Sequence, residues 1–555
     1  MRVRDAFGSE QPTERRLPHR RARVLYGAVL LLGVLLRVIP QHVFQPNVEL
    51  QEVYPMRAAQ AVASGSWEPP TPLSGGSGLF SLLRVVDTAW FMGARALGVW
   101  DGPVDMMESL ARDRVPFVLV ARGVVILVSL ATLVLVGALA QRLYGWREGI
   151  AAVALLGVTF VHVRETHHVW HDILATFGVL ATAAVGVRVL WRASLGNVAL
   201  LGAVAGLALA ACHRNIPVAL TVASAGVLAS PAGLRAVAYR LGAAGVAAIG
   251  GFAVASPYLV THLPTMLAKA QPGMWLQGGV RAGFEVPTLL GLMIGWPMVV
   301  LAVVGLVAEM RASPRRGVVL AVFPLTFLLL IHVIAFRMAR YLAAVAPFVA
   351  LFAARGATWI ADQGPRGWRG WLATAAVVVA GTGPLATSVA YDVLRARPDT
   401  RVLAGRWLMA ELPEDATVSV PNIIPYPNPV LPMTLADARR ARLPFLPVLR
   451  ARGALSPLVV RPMGMFTTRN ANWQPQPGEW VVTSSHPIVQ PEAHTDERQL
   501  AALRAANAVP VATFEGIGDP SPAVVFDPLC IDYLPLAGFR ELARPGPSLT
   551  IWRVP

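Results

Sequence analysis

Two polar stretches interrupt a chain that is otherwise largely apolar. Phe44 to Trp67, FQPNVELQEVYPMRAAQAVASGSW, sets Glu49 and Glu52 three residues apart just beyond the first long apolar segment. RETHHVWHD, Arg164 to Asp172, sets His167, His171 and Asp172 at the start of another. Carboxylates at the edge of a membrane are costly unless they have partners or chemistry to do. In a water-poor pocket their pKa rises into the range of a general base. The same acids also read as a solvated loop with helix-start residues. His167 and His171 are four apart and share a face if the segment is helical, so with Asp172 they suit a divalent zinc or manganese ion. They equally suit a polar helix end in which Asp172 is a cap. Arg337 and Arg340, in FRMARY, sit at the edge of a late apolar run. A guanidinium there can clamp a phosphate in bidentate fashion or rest on lipid headgroups. His213 and Arg214 in ACHRNIP form a similar pair.

These residues must be held by a membrane protein. Of 555 residues, 55% are hydrophobic and 14% charged, and several apolar runs approach the length of about 20 residues that crosses a bilayer. The net charge of +16 suggests nucleic acid only until the arginines are located. They cluster between apolar segments, where they set orientation and meet anionic headgroups, so nucleic acid is not an expected partner. Lys269 is the single lysine. Cys212 and Cys530 lie in different environments and point to neither a disulfide framework nor a thiolate metal site.

Residues 1–23 carry RRLPHRRAR, a cytoplasmic anchor by the positive-inside rule. No small-residue cleavage site follows, so Val24 to about Val43 reads as a retained first span that delivers 44–67 to the outer face. Leu79 to Trp100 is apolar but interrupted by Arg84, Asp87 and Arg95, which suits a helix lying in the interface. Later spans are expected near 116–141, 149–163, 171–193, 196–212, 217–230, 239–260, 288–309, 316–335, 340–360 and 371–391. With that assignment each inner connection carries an arginine, and the polar stretches named above all fall outside. The fold class is therefore a polytopic α-helical membrane protein of eleven spans, twelve if 79–100 also crosses. Its transmembrane unit is 24–391, and 44–115 forms a first outer loop with interfacial helices.

After Tyr391 the apolar runs stop. Residues 392–555 alternate helical stretches such as Asp399 to Leu412 with β-like runs at Ala416 to Val420, Glu479 to Thr483 and Ser548 to Val554, as expected of an extracytoplasmic α/β domain. The proline-dense stretch Pro421 to Pro447 reads as loop.

The order VELQEVYPMRAAQAVASG, RETHHVWHDILATF, GLALAACHRNIP, ASPYLVTHLP, FRMARYLAAVAPF, DTRVLAGRWLMAELPEDATV, GPSLTIWRVP resembles the C-type glycosyltransferase superfamily. The branch it is most similar to comprises the bacterial relatives of dolichyl-phosphate-mannose protein mannosyltransferases and lipid A aminoarabinose transferase. The resemblance implies sugar transfer at the outer face, from a polyprenyl-phosphate donor to a protein, lipid or glycan acceptor, by inverting single displacement. It implies a carboxylate base in the first outer loop. The family carries adjacent Asp-Glu there, whereas this chain has Val48 and Glu49, which leaves Glu49 or Glu52 for the role. Asp172 matches a second acidic position, and Arg340, with Arg337 beside it, matches an arginine suited to the donor phosphate. No cofactor is implied beyond a divalent metal that His167 and His171 could hold. A bacterial inner membrane, with the N-terminus cytoplasmic, is the implied location.

Two other classes remain open from the residues alone. A lipid or ion transporter could use outer-face acids and histidines, although no internal repeat or matching pair of interrupted helices is present. A non-catalytic scaffold on the same fold is compatible with Val48.

Overall fold

The computed structural model describes residues 20–43, 53–68, 77–229, 233–262, 282–334, 336–421, 429–465, 468–469, 473–486, 495, 497–516, 523–528 and 533–555. Glu49, Glu52, Lys269 and Cys530 lie outside the described residues. Helices follow the apolar runs in order: α1 (Arg20–Val43), α2 (Val53–Ala63), α3 (Ser77–Ala96), α4 (Pro103–Arg112), α5 (Val115–Leu143), α6 (Trp146–Val158), α7 (Phe160–Thr166) and α8 (Asp172–Trp191). Then come α9 (Leu195–Ala211), α10 (Val218–Leu228), α11 (Leu234–Ala255), α12 (Val286–Met293), α13 (Trp296–Ala312), α14 (Pro314–Val333), α15 (Ala346–Gln363) and α16 (Arg369–Arg395).

Six of these helices are long and apolar enough to cross a membrane, and up to eight spans result if each of two bent pairs counts as one. The run expected at 149–163 is bent by 60° at Thr159, and the run expected at 288–309 is bent by 106° between α12 and α13. The second bend falls at Gly295, whose φ of +95° is open to glycine and strained for other residues. Proline at the start of α13 fits there because the first helical N–H has no partner to lose.

Small residues set the closest helix contacts, as expected where lipid supplies no hydrophobic drive between helices. A Cβ on Gly202 or Gly206 of α9 would come within 2.0 Å of the Ala244 or Ala248 carbonyl oxygen of α11. The core that results runs through α5, α6, α8, α14 and α15, with Leu133, Leu156, Leu180, Phe323 and Leu351 fully buried.

Helix α3 is not among the candidate spans. Two of its three charges turn inward, while Arg95 stays exposed: Arg84 Nε donates to the Ser66 carbonyl at 2.6 Å and its guanidinium covers the Trp67 ring at 3.8 Å. Asp87 is 3% exposed, its Oδ2 has no hydrogen-bond partner among the described residues, and burial pushes its carboxyl up to about 8. Val85, Met92 and Leu97 face outward instead, which is the pattern of a helix seated against an apolar medium.

Beyond α16 the chain continues through α17 (Thr400–Glu411), capped by the Asp399 side chain on the Arg401 N–H, into a five-stranded mixed sheet. Its strands are β1 (Thr417–Val420), β2 (Val459–Pro462), β3 (Trp480–Ser485), β4 (Val509–Phe514) and β5 (Ser548–Arg553), in the order β2-β1-β3-β5-β4. The expected strands at 416–420, 479–483 and 548–554 are its three central ones. Strands β2 and β4 at its edges carry exposed valines and no clean alternation, so the sequence pattern hid them. The stretch 421–447, expected to be loop, contains the helix Leu435–Arg440, started by a Thr434–Asp437 capping box, and the start of the helix Leu446–Ala451.

The segment between β1 and β2 packs on α4. Met106, Met107 and Leu110 of α4 pack with Met433, Ala438, Leu443 and Leu449, all nearly inaccessible. At the rim Arg452 pairs with Asp105 at 2.9 Å and Glu108 at 2.7 Å.

Candidate functional site

Asp172 opens α8 and is 6% exposed. Two separate connections bring cations to it. The turn His213–Asn215, after α9, presents Arg214, whose Nη2 donates to Asp172 Oδ1 at 3.0 Å. The same nitrogen lies 3.2 Å from His171 Nε2. The turn Ala339–Ala344, just before α15, presents Arg340, with Nε 3.9 Å from Asp172 Oδ2. Aromatic rings fix both guanidiniums in orientation: Arg214 lies over Tyr341 at 3.8 Å and Arg340 over Trp170 at 4.8 Å.

The start of α2 closes the third side. The Tyr54 ring meets Trp170 edge-on at 5.3 Å, and Tyr54, Ala58 and Ala61 pack with Val169 and Tyr258. Arg57, half-buried on the same helix, interacts electrostatically with Tyr54 and Tyr258, and burial lowers its pKa. Burial also pushes the Tyr54 phenol up, against the opposing pull of Arg57. His171 is held well below its ordinary pKa by burial first and by Arg214, Arg340 and His213 after it, so its ring is neutral near pH 7. His213 moves the same way, through burial and Arg214.

The sequence-predicted residues divide as follows. Asp172 and Arg340 come together. Arg337 does not join them: residues 336–337 pair in parallel with 282–283 as a two-residue ladder, and Arg337 Nη1 donates to Glu285 Oε2 at 2.5 Å. His167 and His171 do not share a helix face, because α7 ends at Thr166 and the chain turns before α8. His167 Nε2 lies 3.1 Å from Asp392 Oδ1, while His171 faces Arg214. Among the described residues no three His, Cys, Asp or Glu side chains gather as a metal site. Arg214 carries a sequence signal only as the partner of His213 in ACHRNIP. Tyr54, Arg57, Trp170 and Tyr341 carried no separate signal.

A second buried polar group lies alongside. Arg37, toward the end of α1, donates to Ser129 Oγ at 2.8 Å and to the Gly33 and Gly157 carbonyls at 2.7 and 2.9 Å, and its Nη2 lies 2.7 Å from His162 Nδ1. Arg164 and Glu165, just after His162 in the chain, form a fully buried ion pair. Every arginine here has its acceptor inside the bundle, the condition for keeping a charge at membrane depth.

No protein-family model matches the chain, and no curated protein matches it in sequence. Among solved structures it is similar to ArnT from Cupriavidus metallidurans bound to undecaprenyl phosphate. That match has 14% identity, covers 95% of this chain and 97% of that one, and has a TM-score of 0.52. It is also similar to the archaeal oligosaccharyltransferase AglB from Archaeoglobus fulgidus, solved with an inhibitory peptide and a dolichol-phosphate, at 12% identity and a TM-score of 0.48. That second match covers 72% of this chain, which spans 62% of the oligosaccharyltransferase's length. Over nearly its whole length the chain shares its fold with ArnT, while six to eight candidate spans are found among the described residues where eleven or twelve are expected.

Proposed function

We propose that the chain transfers a sugar from a polyprenyl-phosphate-linked donor to an acceptor at the outer face of the membrane. One observation carries the reading. Two ring-backed guanidiniums, Arg214 and Arg340, converge on a single buried carboxylate, Asp172, and the half-buried Arg57 lies on the helix that closes the same site. The positive charge exceeds the negative, and it sits in a place where water screens it weakly. A phosphate fits that excess, and forked guanidiniums suit its oxygens better than point charges do.

In this reading the acceptor attacks the anomeric carbon as its bond to the polyprenyl phosphate breaks, with inversion. Arg214 and Arg340 stabilise the charge that grows on the departing phosphate, an electrostatic contribution that a dry site enlarges. Asp172 holds the two guanidiniums apart and aimed. Glu49 or Glu52 takes the acceptor proton. Glu52 is joined to Tyr54 of this site through Val53 alone, which supports a carboxylate near the reacting centre. The lipid tail lies between spans, and the C-terminal domain, docked on the first loop, covers the acceptor side.

The finer assignments belong to the same proposal. The chain crosses an inner membrane eleven times, with the N-terminus in the cytoplasm and residues 392–555 outside. The transferred group is a hexosyl or pentosyl unit, and the acceptor is a protein, lipid or glycan. Purified protein in lipid nanodiscs, offered a panel of polyprenyl-phosphate sugars, is expected to release polyprenyl phosphate, with Arg340→Ala slowed on the order of 100-fold, the scale of losing one electrostatic stabiliser. Turnover by Arg340→Ala equal to wild type contradicts the assignment.

A further inference from the structure

The short loop between α7 and α8 has two sides. Trp170 and His171, on one side, touch Arg340 and Arg214 as described. His167 and His168, on the other, rest on the last turn of α16, the helix that leads directly into the C-terminal domain. Asp392 Oδ1 is 3.1 Å from His167 Nε2, and the Tyr391 hydroxyl is 3.3 Å from His168 Nε2. Arg395 Nη2 donates to the His167 carbonyl at 3.2 Å, and its Nη1 donates to the Tyr391 hydroxyl at 3.2 Å. Residues 391, 392 and 395 share one helix face, so a single turn of α16 grips two consecutive loop residues by side chain and backbone.

The backbone of 167–171 is not helical and holds itself by few internal bonds: His167 and His168 reach back to the Arg164 and Glu165 carbonyls, and Trp170 to the His168 carbonyl. The lateral position of Trp170 and His171 therefore depends on what holds His167 and His168 from behind. A shift of about 1 Å is enough to spoil a guanidinium–phosphate geometry.

We propose that Asp392 is a positioning residue for the phosphate site: through His167 it fixes the 167–171 loop so that Trp170 and His171 aim Arg340 and Arg214. The inference rests on the reading of those arginines as phosphate ligands, and it adds a link from the C-terminal domain's connecting helix to the site. Asp392 touches neither lipid nor sugar in this account.

Two measurements on the full-length protein in nanodiscs test it. Hydrogen exchange of the backbone amides at 167–171 is expected to speed up about tenfold in Asp392→Ala, the loss of one buried polar contact, while α8 and α15 stay protected. Affinity for undecaprenyl phosphate is expected to fall severalfold in the same variant, with Asp392→Asn, which keeps an oxygen facing His167, near wild type. Tyr391→Phe, a milder change, should raise exchange at His168 and leave the fold intact if Asp392→Ala does not assemble. Unchanged loop exchange in folded Asp392→Ala, or undecaprenyl phosphate bound equally well by Asp392→Ala and wild type, overturns the proposal. Failure of the wild type itself to bind that lipid instead overturns the functional reading, and the exchange result then decides the link by itself.

Discussion

Arg214→Ala is the most informative single change to the site. It removes the donor 3.0 Å from Asp172 Oδ1, the contact to His171 Nε2 at 3.2 Å, and the cation over Tyr341. The Arg214 and Asp172 side chains are 12% and 8% exposed, so solvent screening does little to reduce the loss. Asp172 is left with Arg340 as its remaining cation in this cluster, 3.9 Å away. Removing one partner of a buried pair typically costs about 3–5 kcal/mol of stability. The loss of one charged hydrogen-bonding partner to a bound phosphate is about 1.5–3 kcal/mol, or roughly 10- to 150-fold in Kd. Arg214→Lys keeps the charge and loses the fork, so it should fall between alanine and wild type. The assay is undecaprenyl phosphate binding to nanodisc-embedded protein, with thermal unfolding measured on the same preparations. A folded Arg214→Ala that binds the lipid with wild-type affinity refutes the phosphate assignment. Wild-type stability in that variant refutes the burial argument.

Other outcomes follow from the same geometry. Asp87 is raised to about 8 by burial, so folding favours its protonated form and stability falls as pH rises from about 4 toward 8. Asp87→Asn should therefore stabilise the protein at pH 8 and change little at pH 4, read as unfolding midpoints at the two pH values. At the docking face of the C-terminal domain, Met107→Ala should destabilise by about 2–5 kcal/mol through the cavity it leaves, whereas Arg452→Ala, at the exposed rim, should barely move the midpoint; limited proteolysis of the 429–465 region separates the two.

Much of this architecture was legible because apolar length and arginine placement are coarse signals that packing does not erase. Ten expected segments after the first span each hold at least one helix, and the interruptions at Arg84 and Asp87 marked α3 as different. What escaped was local. Thr159 and Gly295 carry no signal strong enough to predict bends of 60° and 106°, since both sit inside runs of uniform hydropathy. The site shows the same division. Asp172 and Arg340 were visible as polar residues at apolar edges, but a two-residue ladder turns Arg337 toward Glu285, and a helix ending at Thr166 sends His167 and His171 in different directions. Arg214 joins Asp172 only because α9 packs beside α8 tightly enough that a Cβ on Gly178 would lie 2.8 Å from Ala208. That closeness is a property of two helices together, and neither sequence alone states it.

The central claim is best tested by following polyprenyl phosphate release from polyprenyl-phosphate sugars by the purified protein in lipid, with and without candidate acceptors, for wild type, Glu49→Gln and Glu52→Gln. Acceptor-dependent release by wild type is expected, lost in one of the two variants while its fold and its undecaprenyl phosphate binding persist. Release that survives in both variants contradicts a carboxylate base in the first loop, and a wild type that neither binds nor consumes any of these lipids contradicts the transferase itself.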